Sequence, residues 1–93
     1  MAITFVEDEC KQSTNTMKVV VQGPDPTELT SRQTRDAVLV FARRCGFPAR
    51  GISSLPQTYP VDSDGKTDED VILGKRPLAA HRADYTLSAG IVA

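Results

Sequence analysis

The chain has 93 residues, of which 40% are hydrophobic and 25% charged, and its formal net charge at neutral pH is −1. This length and composition predict one globular domain and exclude a disordered, collagen-like or low-complexity chain. The longest wholly apolar run, residues 37–42, is too short for a membrane span of roughly 20 residues, and the near-zero net charge argues against a general nucleic-acid or membrane-surface binder.

The N-terminus and the cysteines predict a cytoplasmic protein. The chain turns acidic at residues 7–9, where a secretory signal peptide is first basic and then apolar. The two cysteines, Cys10 and Cys45, are fewer than a small secreted disulfide scaffold usually carries. We therefore expect two reduced thiols, although the spacing also allows one disulfide between them.

Two strands are predicted in the first quarter of the chain. Residues 3–6 form a short strand, and residues 17–22 form a second one that is rich in β-branched side chains. The two-residue period separates Lys18, Val20 and Gln22 on one face from an apolar face made of Met17, Val19 and Val21. The polar stretch between the strands predicts an antiparallel hairpin with a long connection.

Residues 26–45 are predicted to form one long helix. Asp25 is the expected N-cap and accepts the backbone N–H of Glu28, while Thr30 offers an alternative start one turn later. Gly46 suits the left-handed residue that follows a helix C-terminus.

The second half of the chain is predicted to complete the sheet. Prolines keep any strand in residues 51–60 short or at an edge, Asp64-Gly65 marks a hairpin turn, and residues 71–73 are the returning strand. Residues 75–84 are either a loop or about two helical turns, and residues 85–92 alternate as a final strand. The predicted order is β-β-α-β-β-(short helix or loop)-β, a single α+β domain with one main helix packed on a mostly antiparallel sheet.

The predicted helix is apolar on more sides than one sheet contact requires. A helical wheel gives a sheet-facing stripe made of Thr30, Thr34, Ala37, Val38, Phe41 and Cys45. Leu39 falls on the opposite side, bracketed by Arg35 and Arg43. Either a later segment covers Leu39, or it is simply exposed, or Leu39 and the arginines contact a partner or a second copy of the chain.

Charge is segregated along the chain. Residues 32–50 hold five arginines and one aspartate, a net charge of +4, and residues 62–70 hold five acidic residues and one lysine, a net charge of −4. The two segments can pair inside the fold, supply ordinary solubility charge, or bind a partner. The predicted partner-binding residues are Arg32, Arg35, Leu39, Arg43, Arg44, Asp62, Asp64, Asp68, Glu69 and Asp70.

The motifs argue against catalysis and metal binding. Aligning Gly65 with the sixth position of an EF-hand loop leaves Pro60 and Val71 where two essential ligands belong. A single histidine, His81, accompanies the cysteines, and no ligand spacing is present. No serine lies in a Gly-x-Ser-x-Gly motif and no phosphate-binding glycine loop occurs. We therefore predict no catalytic residue, no metal and no cofactor.

The sequence predicts a small non-enzymatic protein that occupies the surface of another protein. In size and in lacking catalytic motifs it is similar to small viral antagonists of bacterial defence complexes, such as anti-CRISPR proteins, and no motif carries that analogy. One alternative is nucleic-acid binding through the arginines of the first charged segment, namely Arg32, Arg35, Arg43, Arg44 and Arg50. The other is an assembly subunit, a homo-oligomer that pairs through an edge strand.

Overall fold

The computed structural model describes residues 3–75 and 77–89, apart from the side chain of Ser54. In these residues the strands are β1 (Thr4–Phe5), β2 (Lys11–Gln12), β3 (Thr16–Gly23), β4 (Ala49–Ser54), β5 (Thr58–Val61) and β6 (Ala80–Ala89). The helices are α1 (Pro26–Leu29), α2 (Arg32–Arg44) and α3 (Glu69–Ile72), and a 3-10 turn covers Glu7–Glu9. The predicted α+β class is confirmed, with one main helix, α2, on an antiparallel sheet.

Two long central strands organise the sheet. β3 and β6 pair antiparallel along their length, from Thr16 opposite Ser88 to Gly23 opposite His81. The outer edge of β3 pairs with β1 and β2, and the outer edge of β6 pairs with β4 and β5. The predicted hairpin between the first strand and β3 is therefore confirmed, and the long connection between them contributes β2.

One face of the sheet forms the core, as the alternation in the sequence predicts. The side chains that β3 and β6 place under the helices are Met17, Val19, Val21, Ala83, Tyr85 and Leu87. The other face carries Lys18 and Gln22, and Val20 between them is also buried. The final strand, predicted over residues 85–92, is confirmed but begins earlier, because β6 starts at Ala80 and residues 80–84 pair with β3 and β5 instead of forming the predicted loop or helix. Residues 90–92 of the prediction lie outside the described part of the chain.

The predicted single helix over residues 26–45 is wrong. α1 ends at Leu29, and α2 begins at Arg32 after the N-cap Ser31, whose hydroxyl accepts the N–H of Thr34 at 3.3 Å. The alternative start lies at Ser31 and not at the predicted Thr30. A serine that accepts a local backbone N–H favours an extended conformation at its own position, so the chain breaks there.

The start of α1 also differs in detail from the prediction. Asp25 is the N-cap, as expected, but its carboxylate accepts the N–H of Thr27 at 2.9 Å and not that of Glu28. Pro26 occupies the first helical position, where no intrahelical N–H is needed.

The C-terminus of α2 is confirmed at the predicted glycine. Gly46 has a φ of 88° and donates its N–H to the carbonyl of Arg43 at 3.0 Å, while Phe47 donates to the carbonyl of Ala42 at 3.0 Å. These two bonds form a Schellman motif, which turns Phe47 back into the core and starts the chain towards β4.

The predicted strand over residues 71–73 is wrong, because this segment is helical. The carboxylate of Asp68 accepts the N–H of Val71 at 3.1 Å and so caps α3, whose first turn holds Glu69 and Asp70. The turn at Asp64-Gly65 is confirmed, with a φ of 77° at Gly65, but no strand returns directly from it. Local capping outweighs the strand preference of three aliphatic residues.

Candidate interaction surfaces

An open groove lies between α2 and β4. It has a volume of about 390 Å³ and is lined by Arg32, Arg35, Asp36 and Leu39 from α2 and by Ile52 from β4. The helical residues are three or four positions apart, a spacing that puts their side chains on one side of a helix. The groove therefore combines two guanidinium groups and one carboxylate with the aliphatic side chains of Leu39 and Ile52.

Arg35 is half-buried in the groove lining. Its Nε is buried and has no hydrogen-bond partner among the described residues. Burial raises the pKa of Tyr85, and the positive charge of Arg35 partly opposes this rise. A buried N–H group without an acceptor raises the free energy of the folded chain.

The remaining arginines of the predicted set do not line this groove. Arg43 donates from Nε to the carbonyl oxygen of Ala49 at 3.1 Å and so holds the first residue of β4. Arg44 and Arg50 are exposed at other positions. The groove thus brings together Arg32, Arg35 and Leu39, and the other three arginines are not among its lining residues.

The predicted placement of Leu39 opposite the sheet is wrong. Leu39 is half-buried and packs against the core, on the side of α2 that faces β4. The fully buried positions of α2 are Thr34, Val38 and Ala42. Leu39 therefore flanks the buried stripe, and the segment that partly covers it is β4, which the sequence did not indicate.

The other flank of α2 contacts the opposite edge of the sheet. Phe41 stacks on Phe5 of β1, with ring centroids 4.3 Å apart and an interplanar angle of 6°. Because the sheet extends beyond the helix on both sides, its edge strands cover both flanks. The large aliphatic residue that α2 exposes is Val40, and Cys45, predicted in the buried stripe, is exposed at the C-cap.

The predicted acidic segment, residues 62–70, divides into structural and surface carboxylates. The Oδ1 atom of Asp62 accepts the N–H groups of Asp64 and Lys66, both at 2.9 Å, and so closes the turn that contains Gly65. Asp68 caps α3, as described above. The predicted acidic residues that are exposed at the surface, apart from the cap, are Asp64, Glu69 and Asp70.

Exposed aliphatic side chains accompany these carboxylates, and sequence reasoning missed them. Ile72, Leu73 and Leu78 expose 61%, 58% and 49% of their surface. The prediction of a strand over residues 71–73 did not indicate that Ile72 and Leu73 are exposed. The acidic first turn that follows Asp68 is the helix-start signal that could have revealed them, because it leaves only Val71 facing inward.

The groove between α2 and β4, here called the arginine groove, and the acidic segment occupy different parts of the fold. α2 packs on β3 and β4, whereas α3 packs on β5. The ion pair seen between described residues, Lys18 Nζ to Asp84 Oδ2 at 4.0 Å, lies on the other face of the sheet and joins neither surface. The surfaces are therefore two separate candidate sites.

Other chemistry is sparse in the described ranges. Cys10 and Cys45 are free thiols, and burial raises the pKa of Cys10. No group of three or more His, Cys, Asp or Glu side chains in residues 3–75 and 77–89 is arranged to hold a metal ion. None of the helices in these ranges has the length and apolarity that crossing a membrane requires.

Comparisons with protein-family models, with curated proteins and with solved structures find no match to this chain. What the chain does must therefore be inferred from the two surfaces themselves.

Proposed function

We propose that this chain is a small non-enzymatic module that binds another protein and acts by occupying its surface. The groove between α2 and β4 supports the proposal, since Arg32 and Arg35 stand beside the partly buried Leu39 and Ile52. Arginine next to a desolvated aliphatic contact is the composition of protein–protein hot spots.

The groove fits a partner segment that carries a carboxylate next to an apolar side chain. A carboxylate can accept two parallel N–H bonds from one guanidinium group. The guanidinium group of Arg32 is exposed in the groove lining and can donate such bonds. The apolar neighbour of that carboxylate would cover Leu39 and Ile52.

Occupying a functional surface is how an inhibitor of a larger complex acts. We therefore propose the same mode that the sequence suggested, in which the chain masks part of a multisubunit target such as a bacterial defence complex. The proposal places the protein in the cytoplasm, where the free thiols of Cys10 and Cys45 stay reduced.

The test is affinity capture from nuclease-treated extracts of the native host by the tagged chain and by two charge-reversal variants. Arg32→Glu changes the groove, and Arg50→Glu is the matched control because Arg50 is exposed and lies outside the groove. We expect one protein to be retained by the wild type and by Arg50→Glu and lost with Arg32→Glu. Its equal loss with both variants would contradict the groove as the contact site.

A parallel capture from untreated extract separates this proposal from nucleic-acid binding. A protein that is captured from the untreated extract and not from the treated one was tethered through nucleic acid, which would favour the alternative function of the arginines. Retention in moderate salt after nuclease treatment supports direct protein binding, because phosphate contacts weaken steeply with salt.

A further inference from the structure

Three of the five exposed large hydrophobic side chains in the described chain lie in the segment around α3. Ile72, Leu73 and Leu78 lie within seven positions of one another, and each exposes about half or more of its surface. The other large hydrophobic residues with comparable exposure, Val40 and Leu55, are isolated in the sequence. Single exposed aliphatic residues are common in soluble proteins, but a concentration of them marks an interaction site.

The fold holds these side chains outward. Val71 is 2% exposed and anchors α3, which packs on β5. The turn after α3 is closed by backbone bonds, among them Leu73 N–H to the carbonyl of Glu69 at 2.9 Å and Lys75 N–H to that of Asp70 at 2.8 Å. Ile72 and Leu73 are therefore presented by hydrogen-bonded backbone and not by an irregular loop.

A cleft of about 280 Å³ lies beside this segment. Its walls are the turn formed by Asp62, Ser63 and Asp64 and the segment Pro77–Ala79, which includes Leu78. Asp64 thus lines the same cleft as the apolar residues of this segment. A lysine or arginine side chain complements this cleft, because its apolar stem can contact the apolar residues and its cationic head can approach the carboxylate.

We propose that Ile72, Leu73, Leu78 and the adjoining cleft, here called the α3 surface, bind a basic and apolar segment of a partner protein. Leucine-like side chains of that segment would cover Ile72 and Leu73, and a lysine or arginine would enter the cleft with its head towards Asp64. The inference rests on the proposed function, to which it adds a second contact site of opposite charge.

Charge complementarity selects this class of partner. Residues 62–70 carry a net charge of −4, and residues 62–78 carry −2 when Lys75 and Arg76 are counted. The guanidinium group of Arg82, which lies beside Gly65, reduces this to −1. Negative charge repels phosphate and attracts lysine and arginine. Nucleic acid is therefore a poor occupant, whereas a basic protein segment gains both electrostatic and apolar contacts.

The test uses three helical probe peptides of equal length, built from Lys and Leu, from Lys and Ser, and from Glu and Leu. Each is titrated into the full chain while backbone amide shifts and fluorescence anisotropy are recorded. We expect the Lys/Leu peptide to shift amides of residues 62–79 and to bind more tightly than the Lys/Ser peptide. Equal binding of these two peptides would overturn the proposal, because charge alone would then explain the contact.

Paired serine substitutions test the aliphatic contact directly. Ile72→Ser combined with Leu73→Ser is expected to weaken Lys/Leu binding about tenfold. Leu55→Ser is the matched control, because Leu55 is also 61% exposed but lies outside the α3 surface. Unfolding midpoints confirm that all variants fold. Equal weakening by Leu55→Ser would overturn the proposal.

The third peptide and the oligomeric state separate the remaining outcomes. The Glu/Leu peptide reports on the arginine groove, so its failure to bind counts against the proposed function and leaves the α3 surface unaffected. Light scattering over a concentration series tests a second copy as the occupant. Self-association that the Ile72→Ser, Leu73→Ser variant abolishes, without Lys/Leu binding in the wild type, would overturn the assignment to a basic partner.

Discussion

The hydroxyl group of Tyr85 donates a hydrogen bond of 2.5 Å to the carbonyl oxygen of Leu29, and both residues are fully buried. This contact joins the centre of β6 to the last residue of α1. It provides a partner for a carbonyl at the end of a helix, where the intrahelical ladder stops. The break between α1 and α2 is thereby tied to the sheet beneath it.

Tyr85→Phe is expected to lower the free energy of unfolding by about 1–3 kcal/mol, because it leaves a buried carbonyl without its donor. Tyr59→Phe is the matched control. The Tyr59 hydroxyl donates to Asp84 at 2.6 Å, and the Asp84 side chain is 40% exposed, so water can replace the lost donor. Urea denaturation measures both changes, and equal losses would contradict the structural role of the Tyr85 bond.

Alkaline pH is expected to destabilise the fold. Burial raises the pKa of both Tyr59 and Tyr85, and hydrogen bonding to Asp84 raises that of Tyr59 further. In the unfolded chain a tyrosine ionises near a pH of about 10. Above that pH the unfolded state loses its phenolic protons first, so the free energy of unfolding falls as the pH rises towards the folded pKa.

Denaturation curves collected from pH 8 to pH 12 test this expectation. The Tyr59→Phe and Tyr85→Phe variants remove one titrating phenol each. Both should therefore show a shallower decline of stability at high pH than the wild type. A decline of unchanged slope in both variants would assign it to other groups.

Leu39→Ala is expected to lower the free energy of unfolding by about 1–2 kcal/mol, below the range for a fully buried leucine. The reason is that Leu39 is half-buried against the core. Its neighbour Val40 is 44% exposed, so Val40→Ala should change stability by less than about 0.5 kcal/mol. Thermal and urea unfolding of the pair check this, and similar losses would place Leu39 outside the packed flank.

Two glycines with the same positive φ of 77° allow a matched comparison of the acidic turn. A Cβ at Gly74 meets no atom within 4 Å, so Gly74→Ala should lower the free energy of unfolding only by the backbone strain of about 1–2 kcal/mol. A Cβ at Gly65 would lie 2.6 Å from Nη2 of Arg82, whose Nε donates to Gln22 at 2.8 Å. Gly65→Ala should therefore lower the free energy of unfolding by more than Gly74→Ala does.

Adding Arg82→Ala to Gly65→Ala isolates the contact between the turn and the sheet. In the Arg82→Ala background, the loss in free energy of unfolding that Gly65→Ala causes should fall to the loss that Gly74→Ala causes. An unchanged cost would show that the Arg82 side chain moves aside without losing stability.

The strands and the helix C-terminus were predictable because local rules decide them. The alternation of Met17, Val19 and Val21 identifies the buried face of β3, since successive side chains in a strand point to opposite faces. Gly46 identifies the end of α2, since the residue after a C-cap needs a positive φ. The segregation of arginines and carboxylates was also read from the sequence alone.

Some local signals were present but were outweighed in the prediction by longer patterns. Ser31 and Asp68 are both N-caps that interrupt or start a helix within a single turn. The predicted continuous helix relied on the start signal at Asp25 and the end signal at Gly46. The predicted strand over residues 71–73 relied on the hairpin turn at Asp64-Gly65. Capping within a single turn overrides both of these longer patterns, and here it decides the conformation.

Only the tertiary structure decided which side chains meet. The sequence could place Leu39 and Ile52 on separate elements, but the width of the sheet brings β4 beside α2 and makes a groove of them with Arg35. It also engages Arg43 with Ala49 of β4, whereas Arg32 and Arg35 line the groove. Local propensity fixes the direction of a side chain within its own element. Strand order and sheet width determine which side chains of other elements lie opposite it. The sequence did not reveal these because strand order and sheet width depend on pairings between distant residues.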